Sequence, residues 1–95
     1  MAQFTIRIEL HDAQWSEYDT LHAAMERQGF SRLITGDDGR TYQLPWAEYD
    51  GTSNLTSVQV LGAAQTAANS TCRKNSVLVT EAKNRAWSGL TVARN

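Results

Sequence analysis

The sequence predicts a single α+β domain spanning residues 1–95, in which two helices cover one face of an antiparallel sheet. Three observations favour this class. The chain opens with a run of period two, a run with helical steps follows it, and strand and helix signals recur in the second half. A length of 95 residues and a hydrophobic content of 41% suit one small globular domain.

The first strand and the first helix have the clearest patterns. Residues 4–10 alternate between apolar and polar side chains, which predicts a strand covered on one face only. The apolar face consists of Phe4, Ile6, Ile8 and Leu10. The polar face consists of Thr5, Arg7 and Glu9. A helix is predicted from about residue 13 to residue 28, and its inward stripe consists of Trp15, Tyr18, Leu21, His22 and Met25. Asp12 is the expected N-cap, with Gln14 and Ser16 as alternatives, and Gly29 ends the helix.

Residues 30–44 predict a β-hairpin. The second strand covers residues 30–35, and the third begins near Arg40 and passes Tyr42 and Leu44. The tip at residues 36–39 contains Asp38-Gly39, a pair that tolerates the positive φ values of a tight hairpin turn. Pro45 has no N–H, so it marks a bulge or the end of regular pairing, after which residues 46–49 continue in a bent form.

The second half predicts a loop, a helix and a strand. Residues 50–54 are expected to form the loop, and Thr56 and Gln59 form a capping box at the start of the second helix. This helix is predicted to end near Arg73, with an inward face of Val58, Leu61, Ala64, Ala68 and, as a further candidate, Cys72. Residues 77–80 form the fourth strand, and residues 83–95 are expected to pack through Trp87 and Leu90.

The order strand, helix, strand, strand, helix, strand favours a ferredoxin-like sandwich. Both helices would then cover one face of a four-stranded antiparallel sheet, and the first strand would lie in its interior. The polar face of the first strand would stay open unless a partner covers it.

Composition and charge exclude several classes of protein. With Cys72 as the single cysteine, neither an internal disulfide nor a CxxC metal site can form. A secretory signal and a membrane-spanning run are both absent from the pattern, so we expect a cytoplasmic protein. No phosphate loop or hydrolase motif is present, and we expect neither a small-molecule cofactor nor a metal. The net charge of −1 divides into −5 over residues 1–50 (nine acidic, four basic) and +4 over residues 51–95 (one acidic, five basic).

One part of the chain resembles a known family. The spaced residues Met25, Phe30-Ser31, Ile34, Asp38-Gly39 and Gln43-Leu44 look like the middle of the GhoS family, over roughly a third of the chain. Members of that family are small ferredoxin-like antitoxins of type V toxin–antitoxin systems, and the antitoxin is an endoribonuclease that cuts the toxin's messenger RNA. The resemblance therefore implies RNA binding or endoribonuclease activity. Where the family has a basic residue on helix 1, this chain has His22.

Three residues are candidates for acid–base chemistry, each with a structural alternative. His22 could transfer protons because the pKa of histidine lies near neutrality, or it could pack as a hydrogen-bonded side chain in the apolar stripe. His11 and Asp12 follow the first strand; the position of Asp12 is similar to that of a metal-binding Asp in related ferredoxin-like nucleases, and helix capping is the alternative. Asp37 and Asp38 could bind a divalent ion, but turn formation is the favoured interpretation.

Two classes of partner remain open at the level of sequence. Single-stranded RNA could be held through its phosphates by Arg7, Arg73, Lys74, Lys83 and Arg85. Alternatively, the protein is a non-catalytic homodimeric interaction module, in which the open face or an edge strand pairs with a second copy. Continuous basic charge on the surface would favour RNA, and scattered charge would favour the module.

Overall fold

The computed structural model describes residues 1–93, which form two helices and two three-stranded antiparallel sheets. The elements are β1 (Ala2–Leu10), α1 (Trp15–Arg27), β2 (Leu33–Thr35), β3 (Thr41–Gln43), β4 (Glu48–Ser53), α2 (Ser57–Asn69), β5 (Asn75–Ala82) and β6 (Thr91–Val92). The larger sheet has the order β4-β1-β5 and the smaller one β2-β3-β6. The α+β class is confirmed, whereas the single four-stranded sheet is replaced by these two.

The core lies between the apolar face of β1 and the two helices. As predicted, β1 lies inside its sheet, where Ile6 is opposite Tyr49 of β4 and Val79 of β5. Burying one face fixes the register of a strand, because a slip of one residue would expose its whole apolar set. The buried cluster consists of Phe4, Ile6, Ile8, Leu10, Leu21, Ala24, Met25, Phe30, Tyr49, Val60, Ala64, Ala67 and Ala68.

The hairpin pairs with the larger sheet only at its first residues. Ser31 alone bridges to Asp50 of β4, through two backbone hydrogen bonds of 3.0 and 2.8 Å. From Leu33 onward the chain pairs with β3 instead. Pro45 interrupts the other arm, and the turn that follows it is closed by the Glu48 N–H donating to the Pro45 carbonyl at 3.0 Å. The predicted loop at residues 50–54 is therefore largely β4, and the hairpin forms a sheet of its own.

The helix boundaries differ from the predictions in ways that capping explains. Gln14, an expected alternative, is the N-cap of α1, and its backbone N–H donates to Glu17 at 2.7 Å. Asp12 lies instead in a turn with a φ of 56°. The predicted capping box of α2 is confirmed, since the Gln59 N–H donates to Thr56 Oγ1 at 3.2 Å and the Thr56 N–H to the Gln59 side chain at 2.9 Å.

The inward faces of both helices were only partly predicted. In α2, Ala64 and Ala68 are buried as expected, but Val58 is 77% exposed and Val60 and Ala67 fill the core instead. The helix ends at Asn69, so Cys72 follows it as an exposed residue. In α1, Leu21 and Met25 are buried, whereas Trp15 is on the surface. None of the helices within residues 1–93 is long and apolar enough to cross a membrane.

The segment after β5 packs against the hairpin and the larger sheet. Trp87 lies 5.6 Å from Tyr42, measured between ring centroids, and β6 pairs with β3. On the way, Arg85 forms an ion pair with Asp50, whose carboxylate also accepts a hydrogen bond from Thr5 at 3.2 Å. The segment thus reaches the polar face of β1, which was predicted to stay open. Arg7 and Glu9, farther along the strand, remain exposed.

Candidate functional site

Six side chains from three parts of the chain meet beside α1, and we call them the aromatic cluster. Its members are Trp15, Tyr18, His22, Arg32, Trp46 and Tyr49. The three residues from α1 share one helical stripe, because they follow one another at steps of three and four residues. The turn after Pro45 brings Trp46 against this stripe, and β4 supplies Tyr49 from the larger sheet.

Trp46 lies at the centre of the aromatic cluster. The rings of Trp15 and His22 meet it edge-to-face, with centroids 5.1 and 4.7 Å away. The guanidinium carbon of Arg32 lies 4.5 Å from its ring centroid, a cation–π contact. Arg32 also donates to the Leu44 carbonyl at 3.2 Å, so its position relative to the indole is fixed.

His22 is held by Tyr49, a fully buried phenol. The His22 Nδ1 and the Tyr49 hydroxyl are 2.6 Å apart. Burial lowers the pKa of His22, and the nearby charge of Arg32 lowers it further, against a weaker opposing effect of Asp19. Burial also raises the pKa of Tyr49. Both side chains are therefore uncharged at neutral pH. Either the Tyr49 hydroxyl or His22 Nδ1 donates the proton of the hydrogen bond between them, depending on the histidine tautomer.

Three polar atoms of the aromatic cluster are buried without a hydrogen-bond partner among residues 1–93. They are His22 Nε2, Arg32 Nε and Trp46 Nε1. Buried polar atoms usually have partners, since an unmade hydrogen bond costs about 1–3 kcal/mol. Two of the three are obligate N–H donors, so the cluster lacks acceptors rather than donors.

The aromatic cluster has an open side. A hollow of about 340 Å³ is lined by Ala13, Gln14, Trp15, Tyr18 and Trp46. Trp15 is 71% exposed at its rim. The Leu10 N–H of β1 donates to the Tyr18 hydroxyl at 3.1 Å, and this bond fixes the Tyr18 ring in the wall of the hollow. The three aromatic rings around this hollow can stack on a flat group, whereas His22 and Arg32 contact Trp46 without lining the hollow.

The structure separates the three candidate acid–base residues. His22 contacts Tyr49 of β4, whereas the His11 ring contacts the Ser76 hydroxyl of β5 at 3.2 Å. These two strands flank β1 on opposite sides, so the sites are at least two strand spacings, or roughly 10 Å, apart. Asp12 follows His11 and lies outside the aromatic cluster. Among residues 1–93, no group of three or more His, Cys, Asp or Glu side chains is placed to hold a metal.

The predicted RNA-binding cations do not form one basic surface. Arg73 forms an ion pair with Glu17, and Arg85 with Asp50. The Glu17–Arg73 hydrogen bond lowers the pKa of the carboxyl and raises that of the guanidinium. Arg73 and Lys74 line a hollow beside His11 at one end of β5, Lys83 follows its other end, and Arg7 is exposed on the sheet between them.

The hairpin tip is held by hydrogen bonds of its own. Gly39 has the expected positive φ, at 79°. The Asp38 carboxylate accepts from the Tyr42 hydroxyl at 2.7 Å and from the Arg40 N–H at 3.0 Å, and these bonds lower the pKa of Asp38. The tip therefore forms a tight turn that presents Gly36 to Trp87.

Sequence reasoning missed most of the aromatic cluster. The pattern places Trp15 and Tyr18 in the helix core and Trp46 in a bent strand, and it gives no signal at Arg32. A signal was present in the spacing of Trp15, Tyr18 and His22 on one stripe, and in the tryptophan that follows Pro45.

No model of a known protein family matches the chain, and the comparison with curated proteins finds no significant relative.

The buried state of His22 predicts a loss of stability in acid. Because the pKa of His22 is lower in the folded protein than the usual 6.5, the unfolded chain binds its proton first as the pH falls. The His22 contribution to the free energy of unfolding is thus complete above about pH 7 and decreases below pH 6.5. Urea denaturation at several pH values should show a shallower acid dependence for His22→Gln than for the wild type. Equal acid dependences in His22→Gln and in the wild type would refute the assignment.

Proposed function

We propose that the protein is a cytoplasmic single-stranded RNA-binding protein, and that one RNA base stacks in the aromatic cluster. The observation that carries this proposal is Trp15, a largely exposed indole at the rim of a hollow walled by Tyr18 and Trp46. Sequence-specific proteins that bind single-stranded RNA stack unpaired bases on aromatic rings and on arginine planes. Each stacked base contributes about 1–3 kcal/mol, largely independent of its identity.

The polar atoms of the aromatic cluster support an acceptor-rich ligand. Arg32 supplies a positive charge against the Trp46 ring, which forms one wall of the hollow, and this charge favours an acceptor-rich ligand. The Arg32 and Trp46 N–H groups without partners are buried, so they could bind the carbonyl oxygens of a base only after the side chains around them move. Arg32 also lies inside residues 25–44, the run that resembles the GhoS family. The scattered cations favour the interaction module by the criterion of surface charge, so the RNA proposal rests on the aromatic cluster and is limited to a short contact centred on one or two bases.

Cleavage is a further part of the proposal, and it depends on His22. If His22 donates its Nδ1 proton to Tyr49, Nε2 keeps a lone pair that can take the proton of a ribose 2′-hydroxyl, whose oxygen attacks the adjacent phosphorus while the 5′-oxygen leaves with a proton from water. Because Nε2 is buried against Trp46, this step requires the Trp46 ring to move aside when RNA binds. The lowered pKa of His22 keeps the base form populated at neutral pH. His22→Gln should then abolish cleavage of a labelled RNA while leaving base stacking on Trp15 in place. Equal cleavage rates for the variant and the wild type would contradict this role.

The stacking claim predicts that Trp15→Ala weakens binding of a short fluorescent single-stranded RNA by roughly tenfold. This factor corresponds to the loss of about 1.4 kcal/mol, within the range for one stacked base. Fluorescence anisotropy at low salt measures it. Val58→Ala removes a similarly exposed apolar side chain from α2, and this control should bind like the wild type.

The salt dependence gives an independent test of the same proposal. A contact of one or two phosphates requires a shallow slope, about −0.7 per phosphate in a plot of log affinity against log salt concentration. Arg73→Ala should leave this slope unchanged, because Arg73 is already paired with Glu17. An absence of binding at low salt, or equal binding by Trp15→Ala and the wild type, would overturn the proposal.

A further inference from the structure

The free edge of the larger sheet is long and nearly uncharged. β5 pairs with β1 along its whole length, and within residues 1–93 no strand pairs with its other side. Residues 76–80 include no charge, no proline and no glycine. Leu78, at the middle of the strand, is 63% exposed. Soluble proteins usually protect such edges, because unpaired N–H and C=O groups recruit another strand.

The hydrogen bonds of β5 show which backbone groups are available. The His11 N–H donates to the Lys74 carbonyl at 2.8 Å, which continues the β1–β5 register by one residue. In an antiparallel ladder such bonded pairs occur at every second residue. The even-numbered residues of β5 therefore point their N–H and C=O groups toward β1. The odd-numbered residues direct their N–H and C=O groups away from β1, toward the free edge. These residues are Asn75, Val77, Val79 and Glu81.

We infer that this edge binds a second copy of the same chain, with β5 pairing antiparallel to its own copy about a two-fold axis at Leu78. In a continuous sheet, residues directly opposite each other must point to the same face, so the axis must pass through a residue. Leu78 and Val79 are equally close to the centre of the eight-residue strand, but only an axis at Leu78 pairs all four outward residues of each copy, with Val77 opposite Val79 of the partner. The outward groups of four residues on each copy would then form about eight backbone hydrogen bonds.

The side chains of β5 are complementary to themselves in this arrangement. Leu78 meets its own copy across the axis, at a non-hydrogen-bonded position where side chains come closest. Ser76 lies opposite Thr80, and the uncharged Asn75 lies opposite Glu81. No residue of the strand meets a like charge in this pairing. A shallow hollow lined by Arg7, Glu9 and Leu78 lies beside the axis, where the partner's Leu78 can cover it. A self-complementary surface of this kind fits a two-fold dimer rather than an unrelated strand.

The oligomeric state tests the interface. Sedimentation velocity from micromolar to millimolar concentration should show a species of twice 10.6 kDa for the wild type. Leu78→Lys places two positive charges on the axis and should give only monomer. Val58→Lys, at an exposed site on α2, should remain dimeric. A wild type that stays monomeric throughout this range would overturn the inference.

Cross-linking tests the register, and it does not require Leu78→Lys to fold. In a Cys72→Ser background, Leu78→Cys brings two thiols together at a Cα separation of about 4.5 Å, within the range of a disulfide. Thr80→Cys faces the same side, but its two copies would lie about 13 Å apart. Rapid oxidation to a dimer for Leu78→Cys alone supports the two-fold axis at Leu78. Equally rapid cross-linking of Thr80→Cys, or none at Leu78→Cys, would refute it.

Discussion

Alanine in place of Gly51 should destabilise the protein by about 3 kcal/mol or more. A Cβ atom at Gly51 would lie 2.6 Å from the Gly29 carbonyl oxygen and 2.7 Å from the Phe30 ring. Both distances are far inside van der Waals contact, and the oxygen belongs to a backbone that Ser31 fixes to Asp50. The clash can be relieved only by moving β4 away from the end of α1, at the margin of the core.

Gly62 provides a matched control with the opposite expected sign. It lies on the exposed side of α2, and a Cβ atom there would meet no other atom within 4 Å. Because alanine has a higher helix propensity than glycine, Gly62→Ala should stabilise the protein by about 0.5–1 kcal/mol. Urea denaturation of both variants measures the difference. If Gly51→Ala unfolds at the wild-type urea concentration, the close approach of these two segments is wrong.

Removing the Asp50 carboxylate should have a similarly large effect: Asp50→Ala should lower the free energy of unfolding by about 3 kcal/mol. Asp50 is 8% exposed and the Arg85 side chain 17%, so the substitution leaves a guanidinium in a largely buried position without its counter-ion. It also removes the acceptor of the Thr5 hydroxyl, and with it the anchor that holds the segment after β5 on the sheet.

A double-mutant cycle separates the ion pair from the rest of this effect. If Asp50 and Arg85 act as a pair, Asp50→Ala combined with Arg85→Ala should cost clearly less than the sum of the two single variants. Arg73→Ala, which breaks the more exposed pair with Glu17, should cost clearly less than Asp50→Ala, because solvent screens that pair. Additive effects of the Asp50 and Arg85 substitutions in chemical denaturation would show that the pair contributes nothing.

The parts of the fold that the sequence predicts correctly are set by local chemistry or by one-sided burial. The alternation of residues 4–10 identifies β1 because one face must be buried and the other not, and the capping box identifies the start of α2 within a residue. The hairpin turn follows from the backbone freedom of Gly39. These signals lie within a few residues of the structures that they specify.

The parts that the sequence does not predict depend on distant contacts. The hairpin leaves the larger sheet because Pro45 interrupts one arm. Its junction with β4 depends on the close approach of Gly29 to Gly51, two residues far apart in sequence. The aromatic cluster likewise combines α1, residue 32 and residues 46–49. Trp15 is an example. Its spacing on α1 fits a core position, but in the structure its ring packs against Trp46 and is largely exposed to solvent.

The central position of β1 also constrains how the protein can fold. Phe4 lies opposite Gly51 on one side and Glu81 on the other, and these partners follow it by 47 and 77 residues. During synthesis β1 therefore leaves the ribosome long before either neighbour exists, and neither ladder can form until most of the chain has emerged. Closing such long loops slows folding, because the entropy loss precedes the contacts that compensate for it. The two edges of β1 stay unpaired until β4 and β5 have been made, so the larger sheet assembles late.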